Sequence, residues 1–120
     1  MPGVSWQERD GRRWLLVDYS HAAEHEMLPI AEESVRELEA APEGTLVVVD
    51  VTAAPVTRDW LYYVRRTNNT LMGPKRIRTA ALGIHGVKAA MFRGFNAASN
   101  VKARPFRTLD EALTWLLDGR

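Results

Sequence analysis

Val47–Leu61 reads VVVDVTAAPVTRDWL: an apolar run ends at an acid, a short loop follows, and an aromatic-rich amphipathic segment begins. Together with Thr45 and Leu46 the run is TLVVVDV, β-branched and almost wholly apolar, the pattern of a central strand covered on both faces. Thr57 precedes Arg58-Asp59-Trp60, so its hydroxyl is placed to cap a helix, and Asp59 complements the positive end of the helix dipole. Asp50 is expected to hydrogen-bond the loop amides that follow it. Strand, loop and helix in this order make one half of a parallel crossover.

The same grammar extends in both directions. Upstream, Val4–Arg9 and Arg12–Asp18 flank Asp10-Gly11, a hairpin signal because both turn residues must take positive φ. Met27, Leu28, Ala31, Val35 and Leu38 then recur at helical spacing among Glu32, Glu33, Glu37 and Glu39, giving a helix with an acidic outer face that Pro42 and Gly44 end. Downstream, Trp60, Leu61, Val64, Thr67 or Asn68, and Leu71 make a second helical stripe closed by Gly73-Pro74. Arg78–Ile84 reads as another buried strand. A third helix carries Val87, Met91, Phe95 and Ala98 on one face, and Val101–Phe106 is a last short strand. Thr108-Leu-Asp-Glu111 matches a capping box for a closing helix with Leu109, Ala112, Leu113 and Leu116 inward and Trp115 on its flank. The expected fold is a single α/β domain over residues 1–120, a sandwich with a mixed, mostly parallel five-stranded sheet and about four helices.

Composition narrows the function classes. The 120 residues are 46% hydrophobic and 26% charged, as in globular proteins, and contain no cysteine, which excludes disulfides, thiolate zinc sites and cysteine nucleophiles. The polar start MPGVSWQERDGRR has no signal-peptide core and no apolar run is long enough for a membrane span, so a cytoplasmic protein is expected. Net charge is +1, yet residues 1–60 carry 5 basic and 12 acidic side chains while residues 61–120 carry 11 and 3. Either acidic and basic elements are neighbours in the fold, or Arg65, Arg66, Lys75, Arg76, Arg78, Lys88 and Arg93 build a basic face for an acidic partner or a phosphate. Nucleic acid is disfavoured, since no recognition motif accompanies the charge.

Three constellations bear on chemistry. His21-Ala-Ala-Glu24-His25 has the H-x-x-E-H spacing of inverted zinc peptidases, but needs a regular helix and a third ligand, and Pro29 argues against that helix. Asp18 and Asp50 both close strands, and at the carboxyl edge of a parallel sheet such a pair could hold Mg²⁺ or accept a phosphoryl group. In length, Asp50 and Arg104-Pro105-Phe106 the chain resembles a response-regulator receiver domain. It departs from that pattern where Tyr19 follows Asp18, where no Ser/Thr ends the strand at Ile84, and where Arg104 replaces Lys. Gly83-Ile84-His85-Gly86-Val87-Lys88 puts two glycines and a lysine at a helix start, a place suited to an anion.

The hairpin, the acidic helix, TLVVVDV, RTAALGIHGVKAAMF and PFRTLDEALTWLL together resemble the SpoIIAA-like (STAS/SEC14-type) family of small bacterial domains. The most specific parts are Gly-x-x-Gly-x-Lys at Gly83, Gly86 and Lys88, and Phe106-x-Thr108-x-x-Glu111-Ala112-x-x-Trp115-Leu116. The resemblance implies a non-catalytic module. Related STAS domains act as anti-sigma factor antagonists switched by phosphorylation of a serine at the start of the helix after the central strand. That position falls here at Thr57–Asp59; the family's Asp-Ser-Ser-Gly sequence is absent and Thr57 is the one hydroxyl.

The leading expectation is therefore a regulatory or interaction domain, not an enzyme, that offers its second helix and a basic surface, with Thr57, Arg58, Asp59, Arg65 and Arg66, to a protein partner. The alternative is a small-molecule or lipid-binding module for an apolar or anionic ligand, a SEC14-like pocket at the carboxyl edge built from Asp50, Thr52, Trp60, Tyr63, Gly83, His85, Gly86 and Lys88. A divergent phosphoacceptor using Asp50 is a third. No cofactor or metal is expected.

Overall fold

β1 (Gly3–Arg9) and β2 (Arg12–Asp18) pair antiparallel around Asp10 and Gly11, whose φ values of 53° and 79° are those of the expected tight turn. β3 (Leu46–Asp50), β4 (Arg78–Leu82) and β5 (Ala103–Phe106) then add in sequence order, each parallel to the last, so the sheet runs β1-β2-β3-β4-β5. This computed structural model describes residues 2–98 and 103–118.

Because parallel crossovers are right-handed and every strand is added on the same side, the three crossover helices share one face of the sheet. These are α1 (Glu24–Ala40), α2 (Arg58–Thr67), which continues as a π-helical turn over Asn68–Met72, and α3 (Val87–Ala98). Their buried residues Met27, Ile30, Ala31, Leu38, Trp60 and Phe92 pack with Leu15, Val17, Val47, Ala81 and Ala103 of the sheet. The closing helix α4 (Leu109–Asp118) returns across the other face, where Ala112, Leu113 and Leu116 meet Trp14, Leu46, Val48, Ala80 and Leu82. Strand side chains alternate between two cores, which is why TLVVVDV needed to be apolar at nearly every position.

Several expectations require correction. α1 runs straight through Pro29, so the proline does not end the helix there. Burial of Met27, Ile30 and Ala31 against the sheet outweighs the one backbone bond that proline removes near the helix start. Leu28 faces outward at 38% exposure, and Ile30 takes the inward place. On α3 the inward residue is Phe92, whereas Val87 is 78% exposed; the expected inward Phe95 and Ala98 side chains, and the expected strand start at Val101, lie outside the described residues. Leu109 is likewise exposed.

The seven basic residues do not form one face. Lys75 Nζ donates to the carbonyls of Leu38, Glu39 and Ala41 at the end of α1, Arg76 approaches Glu43 at 3.7 Å, and Lys88 Nζ donates to Val51 O. Arg78 lies over the Trp115 ring at 4.3 Å on the opposite side of the sheet. Arg65, Arg66 and Arg93 remain exposed on α2 and α3.

Candidate functional site

Three features share the helical side of the molecule: the carboxyl-edge loops, a cavity under α2, and a groove between α2 and α3. At the edge, Asp18 Oδ1 accepts from the Ser20 amide at 2.8 Å and its hydroxyl at 2.6 Å, and Asp50 Oδ1 accepts from the Thr52 amide at 2.9 Å. Each aspartate fastens its own loop, and the loops fasten each other through His21 N to Thr52 O and Val51 N to Leu82 O. Among the described residues no group of three or more His, Asp and Glu side chains could hold a metal ion. His21 has a φ of 56° and precedes α1, so it does not share a helix with His25 and the H-x-x-E-H spacing forms no ligand pair.

The receiver pattern also lacks its geometry. Arg104 pairs in register with Ala80 and lies over the rings of Phe106 and Trp115, on the α4 side and away from Asp50 at the end of β3. Lys88, the nearer cation, is bonded to a backbone carbonyl rather than to a carboxylate. Gly83 is demanded by contact: at φ +83° a side chain there would meet Thr52 N at 2.5 Å. His85 and Gly86 are exposed on the turn beyond it. Thr57 caps α2 as expected, its hydroxyl accepting from Trp60 N at 3.2 Å.

The cavity is a different place from the pocket expected at the carboxyl edge. Of that residue set only Trp60 and Tyr63 line it; Asp50 follows Leu46 and Val48 toward the α4 side of the sheet, and Thr52, Gly83, His85, Gly86 and Lys88 belong to the edge loops and the start of α3. Its walls come from the sheet (Val49, Thr79), from α2, and from the π-helical turn at Asn68 and Met72. The volume is about 60 Å³. A cavity of roughly 150 Å³ accepts one benzene, so this one excludes an acyl chain. Trp60 Nε1 and Thr79 Oγ1 are buried there, and among the described residues neither has a hydrogen-bond partner.

Tyr19, edge-on to Trp60 with ring centroids 5.2 Å apart, has its hydroxyl pushed above the ordinary value of 10.0, first by burial. The nearby Trp60 indole offsets this a little, although its N–H falls short of hydrogen-bond geometry. The folded protein therefore keeps a proton that the unfolded chain gives up, and the stability tied to Tyr19 is intact below pH 10 and lost as pH rises above it. Tyr19→Phe should flatten the fall in melting temperature measured between pH 9 and 11; an unchanged slope would assign that fall to other groups.

The groove is lined by Arg58, Leu61, Tyr62 and Arg65 of α2 and by Met91 and Gly94 of α3, with a volume of about 410 Å³. Tyr62 is 61% exposed at its rim. Among the described residues neither arginine makes an ion pair. The groove thus joins apolar surface to two exposed cations on one helix. Sequence patterning pointed to α2 but not to the groove, because it rotated α3 to bury Val87 and Met91. The signal that could have found it is Lys88 and Phe92, spaced one turn apart and packed inward, which leaves Val87, Met91 and Gly94 along the outer side.

Comparison with solved structures decides the fold. An uncharacterized DUF3478-family protein from Shewanella loihica PV-4, described as having a SpoIIAA-like fold, superposes over 97% of this chain and 95% of its own with a TM-score of 0.59 at 16% identity. The chain has the SpoIIAA-like fold. No protein-family profile matches the sequence, and no curated protein is similar to it in sequence. Within the SpoIIAA-like fold, Thr57 stands at the start of the helix that follows the central strand, and the α2–α3 groove opens beside that helix. Among the described residues no helix is long and apolar enough to cross a membrane.

Proposed function

We propose that this is a non-catalytic regulatory or interaction domain that receives an acidic protein surface in the groove between α2 and α3. The observation that carries the reading is the pairing of Arg58 and Arg65 with the exposed Tyr62 and the half-buried Leu61 and Met91. Aromatic residues, methionine and arginine are enriched where proteins meet, and this groove brings the three together. The carboxyl edge offers no rival reading, since each aspartate is engaged by its own loop: Asp18 takes both the amide and the hydroxyl of Ser20, and Asp50 takes the Thr52 amide. Thr57 lies beside Arg58 at the start of the groove helix, so its phosphorylation would add about −1.5 to −2 charge where a partner docks. The test is quantitative capture of proteins by the immobilised chain. Arg58→Glu/Arg65→Glu should reduce capture of a specific partner about tenfold or more at an unchanged melting temperature. Equal capture by the wild type and this variant would refute the groove.

The unpartnered polar atoms in the cavity favour a second reading, a small apolar ligand carrying one oxygen. The volume of about 60 Å³ admits roughly four or five non-hydrogen atoms, and an oxygen could take the Trp60 N–H or the Thr79 hydroxyl. Native mass spectrometry of gently isolated protein would show it as added mass, and a clean apo mass counts against it. Thr79→Val should stabilise the ligand-free protein by about 1–2 kcal/mol, because it replaces an unsatisfied buried hydroxyl by a methyl group of the same shape. A lower melting temperature would show that the hydroxyl has an occupant to bond.

A further inference from the structure

The charge asymmetry of the sequence reappears as geometry in the helical layer. α1 packs beside α2 and α2 beside α3, all on one face of the sheet. Outward from α1 stand Glu24, Glu32, Glu33 and Glu39, against Arg36 and the exposed His25. Outward from α2 and α3 stand Arg58, Arg65 and Arg93, while Arg66 and Asp59 lie on the other flank of α2, where Arg66 shares the surroundings of Tyr63 with Glu32, Arg36 and Glu39 of α1. One side of the layer is acidic and the other basic. Among the described residues the ion pairs are Arg9–Asp110 and Arg76–Glu43, neither of which joins these two sides.

We propose that the helical layer is a self-complementary docking surface, on which the acidic outer face of α1 from a second copy of this chain seats in the α2–α3 groove and the reverse contact forms in the same complex. A two-fold axis in the plane of the layer, between α1 and α2, exchanges its acidic and basic sides. Each copy then meets opposite charge, and the contact closes at two subunits. This deepens the groove reading above and rests on it.

The local fit has two further parts. On α1, Leu28 is 38% exposed between Glu24 and Glu32, so a large apolar side chain stands between carboxylates about 12 Å apart along the axis. On α2, Arg58 and Arg65 are about 10.5 Å apart and flank Tyr62. The groove's volume of about 410 Å³ has room for a leucine side chain. Gly94, exposed within α3, also lines the groove, and a Cβ built there meets no atom of the described residues within 4 Å. Glycine in a helix costs roughly 0.5–1 kcal/mol relative to alanine, and among the described residues nothing stands where its side chain would be. The missing side chain leaves the space that Leu28 of the second copy would fill.

Sedimentation velocity on the full chain over a range of concentrations and salt tests the proposal. The wild type should approach twice the monomer mass with concentration and dissociate as salt rises. Glu32→Lys/Glu33→Lys and Arg58→Glu/Arg65→Glu should each raise the dissociation constant about tenfold or more, and their equimolar mixture should regain the dimer, because both reciprocal contacts are then restored. Gly94→Leu should keep the melting temperature and weaken the dimer without any change of charge. A wild type that stays monomeric, single variants that dimerise as well as the wild type, or a mixture that stays monomeric would each overturn self-pairing. Masses that grow past the dimer would overturn the two-fold arrangement. If the wild type is monomeric yet Arg58→Glu/Arg65→Glu loses capture of another protein, self-pairing fails and the groove reading stands; if capture is unchanged, the groove reading fails as well.

Discussion

Replacing Gly83 by valine is expected to cost the fold about 3–5 kcal/mol, the sum of a backbone penalty and a collision with backbone that has no room to move. Gly83 follows β4 at φ +83°, where a β-branched residue is strained whatever surrounds it. The added Cβ would also stand 2.5 Å from Thr52 N, 2.6 Å from its Oγ1 and 2.7 Å from its Cα. Thr52 cannot retreat, because its amide donates to Asp50 Oδ1 at 2.9 Å and its carbonyl accepts from His21 N at 2.9 Å. Relief must come by pushing the β4–α3 turn outward, which strips Lys88 from Val51 O and loosens the start of α3. Denaturant titration measures the loss. Gly86→Ala is the control, since Gly86 has φ +62° but nothing within 4 Å of an added Cβ, and it should cost only about 1 kcal/mol. Equal losses at the two positions would show that the conformation, and not the contact with Thr52, sets the penalty.

That contact also shows what could be read from the sequence. Two glycines around a turn were legible as a special backbone, and Asp50 and Thr57 as loop and cap residues, because each acts within a few residues of itself. The alternation of strands and helices was legible for the same reason. What Gly83 makes room for is Thr52, thirty-one residues earlier in the chain, and no local pattern names it. The rotation of α3 was hidden because Lys88 looked like a surface cation, whereas it runs inward to Val51 O. Pro29 misled because local propensity argued against a helix that tertiary burial enforces. The groove and the cavity were illegible for one reason: each lies between elements, and its shape depends on how α2 packs against its neighbours.

Lys75→Met should destabilise the protein by roughly 2–3 kcal/mol, a large effect for a half-buried lysine that forms no salt bridge among the described residues. The reason lies at the end of α1, which has no basic residue in its last turn, so its free carbonyls and the negative end of its dipole need a cation from elsewhere. Lys75 Nζ supplies it, donating to Leu38 O at 2.8 Å, Glu39 O at 2.6 Å and Ala41 O at 2.6 Å. Three donors on one ammonium match three converging acceptors, which a planar guanidinium cannot do. Lys75→Arg should therefore recover only part of the loss, and full recovery would mean that charge alone matters. The Lys75 carbonyl also accepts from Gly44 N at 2.8 Å, so the residue joins the end of α1 to the loops before β3 and β4. Its removal should fray the last turn of α1, where hydrogen exchange at Leu38, Glu39 and Ala40 would rise before the global transition. Because the frayed turn carries Glu39 while Glu24, Leu28 and Glu32 lie two or more turns earlier, Lys75→Met should lower stability more than it weakens any contact made by the first half of α1.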